Sequence, residues 1–185
     1  MDNFIYVTGN QAKYLTAKKY FEPLGVDVIQ KKLNIPEIQS DKIEEVALDK
    51  AQKAFAILKH PLIVNDTSWL IEVLNGFPGP YTHYVANLFT SQDWLSLLKG
   101  HPNRKITLRH AIVFIDKDKH RIFTLNTLGV VLKSPKGNQR FSGFDQVVSL
   151  APDRKSLAEI HEIQGYSIEG EEPLWHQLSN WLRKQ

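Results

Sequence analysis

The chain of 185 residues is long enough for one well-cored domain with room for two lobes, and too short for two ordinary domains. With 42% hydrophobic and 23% charged residues it has a globular composition, and its 23 Lys and Arg exceed its 20 Asp and Glu by only three, which suits a small anion at a local site and makes a poor case for nucleic acid. Lack of cysteine excludes disulfides, thiolate nucleophiles and thiolate zinc sites, no apolar run reaches the roughly 18 residues that span a bilayer, and MDNFIYVTGN carries no basic segment before a long apolar core, so a cytoplasmic protein without signal or membrane partner is expected.

Taken in chain order, Phe4–Thr8 (FIYVT) predicts a short strand that stops at the turn signal Gly9-Asn10. Residues 12–22 predict a helix closed by Pro23 and Gly25, and residues 26–33 a second strand. Pro36 interrupts the pattern. Residues 42–59 predict a long helix with Ile43, Val46, Ala47, Lys50, Ala51, Ala54, Phe55 and Leu58 at near-helical spacing. Leu62–Val64 predicts a short strand ending at Asp66, and Ser91 reads as the N-cap of a helix that Gly100 stops. From Lys105 the period changes to two, predicting a hairpin turned at Asp116–Lys119, and the C-terminal helix carries Leu174, Leu178, Trp181 and Leu182 on one stripe. This order predicts a single mixed-sheet α/β domain over residues 1–185.

Four stretches carry groups capable of chemistry. In VTGNQAK (7–13) a strand passes through Gly9 into a helix, so free backbone N–H groups, the helix dipole, Lys13, Thr8 and Asn10 could meet an anion; otherwise this is a plain helix entry. Glu37 follows Pro36 in an extended segment, and Lys50 lies on a small, apolar helix stripe where it must snorkel or meet an anion. Asp66 closes a strand expected to be buried, where its carboxylate is hydrogen-bonded, metal-bound or solvated at a cleft; the alternative is a cap for a helix starting near Ser68. In RFSGFDQVV, Ser142, Gly143, Phe144 and Asp145 form a turn whose aromatic ring and carboxylate could face a base, although Phe144 is as easily core.

In their order, VTGNQAK, LNIPEIQS, EEVALDKA, VNDTSWLIEVLNGFPGPY, SGFDQVV and KSLAEI resemble the inosine/xanthosine triphosphate pyrophosphatase family across essentially the whole chain, most specifically in the Asp-Thr…Gly-x-Pro-Gly block. The resemblance implies an elongated mixed-sheet fold with two lobes flanking a central cleft, a homodimer, Mg²⁺ dependence, and hydrolysis of aberrant purine triphosphates to monophosphate and pyrophosphate. It implies that Thr8, Asn10, Lys13 and Thr67 bind the triphosphate, that Glu37 and Asp66 hold the metal, and that Asp66 also orients the attacking water. Lys50 would neutralise charge at the scissile phosphate, Gly76-Phe77-Pro78-Gly79 would shape the cleft, and Ser142, Gly143, Phe144 and Asp145 would face the base.

The sequence departs from the family pattern at several places. Asn65 and Thr16 stand where acidic residues are usual, Gln146 replaces a proline and Gly165 a lysine, and the Ser-His-Arg expected before the last helix reads Glu169-Gly170-Glu171. Carboxylates accept hydrogen bonds, so this segment is expected to disfavour a 6-oxo base and to favour an amino-bearing one. A hydrolase with altered base preference is therefore expected, with a nucleotide-binding relative that has lost catalysis, or a bare interaction module, as the other readings.

Overall fold

A computed structural model describes residues 3–164 and 171–184. The strands are β1 (Asn3–Val7), β2 (Asp27–Lys31), β3 (Leu62–Ile71), β4 (Pro78–Gly79), β5 (Lys105–Ile115), β6 (His120–Val131) and β7 (Val148–Ser149). The helices are α1 (Gln11–Phe21), α2 (Ile43–Leu58), α3 (Thr82–Ala86), α4 (Ser91–Leu97), α5 (Gly143–Val147), α6 (Leu157–Gln164) and α7 (Glu172–Leu182). The strands form a mixed sheet in the order β2-β1-β3-β5-β6-β7, with β4 on β3. Pairing of β1 with β2 and with β3 is parallel; that of β3 with β4 and of β6 with β7 is antiparallel. The chain divides into two compact units, one of residues 3–67, 110–125 and 171–184, the other of residues 68–109 and 126–164.

In the first unit both faces of the sheet are covered, which is why FIYV reads as a continuous apolar run rather than an alternating one. Phe4, Tyr6, Ile63, Ile112 and Phe114 point to one face and pack against Ala17 and Phe21 of α1 and Leu174, Trp175 and Leu178 of α7. Ile5, Val7, Leu62, Val64, Ala111 and Val113 point to the other and pack against Ile43, Val46, Ala47, Ala51 and Ala54 of α2. The apolar stripe of the C-terminal helix is thus turned inward as its spacing predicts, with Trp181 and Leu182 at the margin of the first cluster.

The second unit has its own core, in which Ile71, Trp94, Leu98, Ile106, Val131, Phe144 and Val147 are buried. The Gly-Phe-Pro-Gly loop folds back so that Pro78 and Gly79 pair with Leu70 and Trp69 of β3, with Gly76 and Gly79 at φ of +90° and +60°. Thr82 locks this return by donating to Gly79 O at 2.6 Å and accepting from Trp69 N at 3.2 Å.

Three local expectations change. The strand begun at Leu62 does not end at Asp66 but runs on to Ile71, so no helix begins near Ser68 for Asp66 to cap; the polar Asn-Asp-Thr-Ser run hides a strand whose outer half is held by β4. Thr90, not Ser91, caps α4 through a capping box with Asp93. Residues 143–147 are a short helix rather than an open turn, because the Ser142 hydroxyl accepts from Asp145 N and caps it.

Packing of α5 on the start of α4 leaves no room at Gly143, where a Cβ would collide with the backbone of Phe89, Thr90 and Ser91. Gly143→Ala is expected to cost about 1–3 kcal/mol, read as a fall in midpoint on denaturant unfolding. An unchanged midpoint would mean that this approach is not tight.

Candidate active site

In the parallel pair, Ile5 and Tyr6 sit opposite Leu62 and Ile63, so Asn65 and Asp66 lie on β3 beyond its pairing with β1. Strand parity sends them to opposite faces. Asn65 shares the face of Tyr6 and Ile63, and Asp66 that of Leu62 and Val64.

On the Asp66 face, α2 places Lys50 among its buried alanines. Lys50 Nζ lies 2.6 Å from Glu37 Oε1 and 3.5 Å from Asp66 Oδ2. Glu37 comes from the extended segment after β2, which is tied down by Leu33 and Ile35 in the core beneath and by Lys53 Nζ donating to Pro36 O at 3.1 Å. Thr67 N donates to Asp66 Oδ1 at 3.0 Å and fixes that carboxylate. Burial pulls the Lys50 amine down, but Asp66 and Glu37 outweigh it and leave the pKa raised.

On the other face, Lys13 Nζ donates to Asn65 Oδ1 at 3.2 Å and to Asn65 O at 3.4 Å. Desolvation lowers its pKa, opposed first by Glu171 and then by Asp66, with Lys50 and Glu37 also within electrostatic range. Lys13, Glu37, Lys50 and Asp66 therefore lie together in the first unit. Beneath Lys13, Asn65 Nδ2 donates to Glu171 Oε1 at 2.9 Å, and His110 Nδ1 lies 3.3 Å from the same oxygen. Tyr6 is buried there with its pKa raised well above the ordinary tyrosine value, by burial first and then by Glu171 and Asp66.

Some expected residues are occupied otherwise. Asn10 is the N-cap of α1: its Oδ1 accepts from Ala12 N and Lys13 N, while Asn10 N donates to Thr8 Oγ1 at 3.0 Å. Three of the amides expected to be free for an anion are thus internally satisfied, leaving Lys13 and the remaining donor capacity of Thr8 and Asn10. Thr16 bonds back to Ala12 O. In the second unit Phe144 is core, edge-on to Trp69 and Trp94 with centroids 5.3 and 5.0 Å away, Gly143 is a packing residue, and burial raises the Asp145 carboxyl against the hydrogen bonds of Ser142.

The motif order puts Glu171 at the base; its side chain is instead fully buried against Asn65 and His110. Gly165, Ser167, Ile168, Glu169 and Gly170 lie outside the described residues. Tyr6, His110 and the inward role of Glu171 escape a reading of motifs. The signal for the first two is parity, since residues 4, 6, 63, 112 and 114 mark the face on which positions 6, 65 and 110 must fall.

Among the described residues no group of three or more His, Asp or Glu is arranged to hold a metal. Glu37 and Asp66 nevertheless reach one point, the Lys50 ammonium, and the Asp66 Oδ2 they leave buried has no hydrogen bond among the described residues. Two carboxylates fit a hard cation that takes its remaining oxygens from phosphate and water.

The class that the fold defines is a mixed α/β sheet with parallel β1, β2 and β3 pairings, and it carries two lysines and two carboxylates where β3 runs past β1. The model of the Ham1 family matches residues 4–169, and this chain belongs to that family. It is 36% identical to a dITP/XTP pyrophosphatase of Thermococcus kodakarensis over 97% of this chain and 96% of that protein, and 31% identical to a dITP/XTP pyrophosphatase of Methanopyrus kandleri over 97% and 95%. The fold is similar to that of the Ham1 protein of Coxiella burnetii, with a TM-score of 0.80, 20% identity and all of both chains covered, and to that of Staphylococcus aureus, with a TM-score of 0.78, 20% identity and 98% of each.

The two lysines carry opposite pH signatures. Lys50 has a raised folded pKa, so its contribution is present at neutral pH and is lost as pH rises through that value; Lys50→Met should lower the melting temperature at pH 7. Lys13 has a lowered folded pKa, so its ammonium opposes folding at neutral pH and this penalty fades as pH rises toward the unfolded lysine value. Lys13→Met should therefore raise the melting temperature at pH 7, by less at pH 10. Equal signs for the two variants in thermal melts would contradict this assignment.

Proposed function

We propose that this chain hydrolyses a purine nucleoside triphosphate to the monophosphate and pyrophosphate, with Mg²⁺ as its cofactor. The observation that carries the reading is the convergence of Lys13, Glu37, Lys50 and Asp66 in one unit. The names of relatives that match along nearly their whole length support it.

Lys13 would hold the polyphosphate from α1, because a half-buried ammonium with a depressed pKa gains most from a polyanion that replaces its lost water. Thr8, Asn10 and Thr67 would add side-chain hydrogen bonds along the same chain of phosphates. Glu37 and Asp66 would hold the cation, which supplies charge neutralisation at the phosphoryl oxygens when bound. Lys50 would shift its ammonium from Glu37 toward the scissile phosphate, and Asp66, its Oδ1 anchored by Thr67 N, would accept a hydrogen bond from the attacking water. Such chemistry rests on positioning and charge, and needs no covalent intermediate.

The base preference follows from Glu171. Of the acidic segment that an amino-bearing base would use as its acceptor, Glu171 is committed to Asn65 and His110 and is withdrawn from that use. We therefore take an oxo-purine, of the kind the relatives' names carry, as the substrate class.

With Mg²⁺ and a panel of nucleoside triphosphates, pyrophosphate rather than orthophosphate should be released, fastest from dITP, ITP or XTP. Asp66→Asn should cut kcat by about a hundredfold or more, and Lys50→Ala comparably, with smaller effects on KM. Orthophosphate as the first product, or full activity of Asp66→Asn, would refute the mechanism; faster turnover of ATP than of every oxo-purine would refute the base assignment.

A further inference from the structure

The polar cluster on the Asn65 face contains a carboxylate to which the mechanism gives no role. Glu171 is 1% exposed, and a buried carboxylate must be compensated. The ordinary duty of an acidic residue directly before a helix is capping, yet Glu171, the N-cap of α7, makes no side-chain hydrogen bond to that helix. It turns instead toward the sheet, where Asn65 Nδ2 donates to Oε1 at 2.9 Å and His110 Nδ1 approaches the same atom at 3.3 Å; Oε2 has no hydrogen bond among the described residues.

Asn65 faces two ways. Its NH₂ is spent on Glu171 and its Oδ1 on the Lys13 ammonium at 3.2 Å, so the amide dipole runs from a buried anion to a half-buried cation. A neutral amide clamped between opposite charges is polarised by both, and each bond strengthens the other. Asn65 carries no charge with which to hold Lys13 by itself. The charge stands one hydrogen bond further away.

We propose that Glu171 is a positioning residue: through the amide of Asn65 its carboxylate supplies the negative charge that holds the Lys13 ammonium in place, and that charge is interchangeable between positions 171 and 65. Glu171 also ranks first among the charges that oppose the desolvation of Lys13, ahead of Asp66. The idea rests on the reading of Lys13 as a polyphosphate ligand but not on turnover. Tyr6 from β1 and His110 from β5 complete the walls of the cluster and contribute no further carboxylate.

The test is a four-protein cycle of the unaltered chain, Asn65→Asp, Glu171→Gln and the double variant. Thermal melting is followed without ligand, and inorganic tripolyphosphate binding is measured by calorimetry with divalent ions chelated. Asn65→Asp puts two buried carboxylates within one hydrogen bond, so it should lower the melting temperature and weaken tripolyphosphate at least about tenfold. Adding Glu171→Gln to it should restore melting and bring affinity back to within about threefold of the unaltered chain, because the amide then at position 171 can donate to the carboxylate then at position 65, which still accepts from Lys13. An Asn65→Asp chain that folds only when Glu171→Gln is also present supports the proposal equally. If Glu171→Gln changes the Asn65→Asp chain no more favourably than it changes the unaltered chain, in melting and in binding, the proposal is overturned. A nucleotide panel that yields no pyrophosphate would remove the hydrolase reading and leave the melting cycle intact.

Discussion

Two adjacent residues of one strand, Asn65 and Asp66, project to opposite faces of a sheet covered on both sides, and the site depends on how charge is compensated across that division. Asp66 meets Lys50 from α2, and Asn65 meets Lys13 from α1. Neither lysine could be held in this way by a β3 that stopped where its pairing with β1 stops, since Asn65 and Asp66 lie past Ile63, the last residue paired there. The continuation of β3 is what brings helices from both layers to one point.

The two sides solve the same electrostatic problem differently. Lys50 is compensated directly, with Glu37 and Asp66 within ion-pair range, and its charge is a stabilising one. Lys13 is undercompensated: burial outweighs the carboxylates around it, and the nearest acceptor is a neutral amide. An ammonium kept short of counter-charge is costly in the folded state and correspondingly receptive to an incoming polyanion. Stability lost there is offset by the two apolar clusters that sandwich the same strands, in which Phe4, Tyr6, Phe21, Trp175, Ala47, Ala51 and Val64 are all buried.

In the second unit, residues that resemble ligand contacts are also the ones its packing needs. Gly143 permits α5 to approach the start of α4, Ser142 caps α5, and Phe144 fills the space between Trp69 and Trp94. Residue types that suit a base also suit a crowded helix entry. Sequence order alone does not separate the two uses.

Most of the scaffold was legible from the chain. Period-two alternation over residues 105–131 became β5 and β6 with the turn at Asp116–Lys119, the alanine stripe became the buried face of α2, and the C-terminal stripe became α7, because each pattern reports a local burial preference with the period of its own backbone. The grouping of Lys13, Glu37, Lys50 and Asp66 was readable only through motif order. The outer half of β3 was not readable, since Trp69 and Leu70 are held by pairing with residues 78–79 and the polar Asn65 before them by a hydrogen bond to Glu171, contacts distant in the chain. What the sequence determined by itself was the elements and their apolar faces, which follow from short-range periodicity. What only the tertiary structure decided was that Glu171, more than a hundred residues along the chain from Asn65, turns inward beside it, because electrostatic compensation of a buried charge is set by distance in space and leaves no period in the chain.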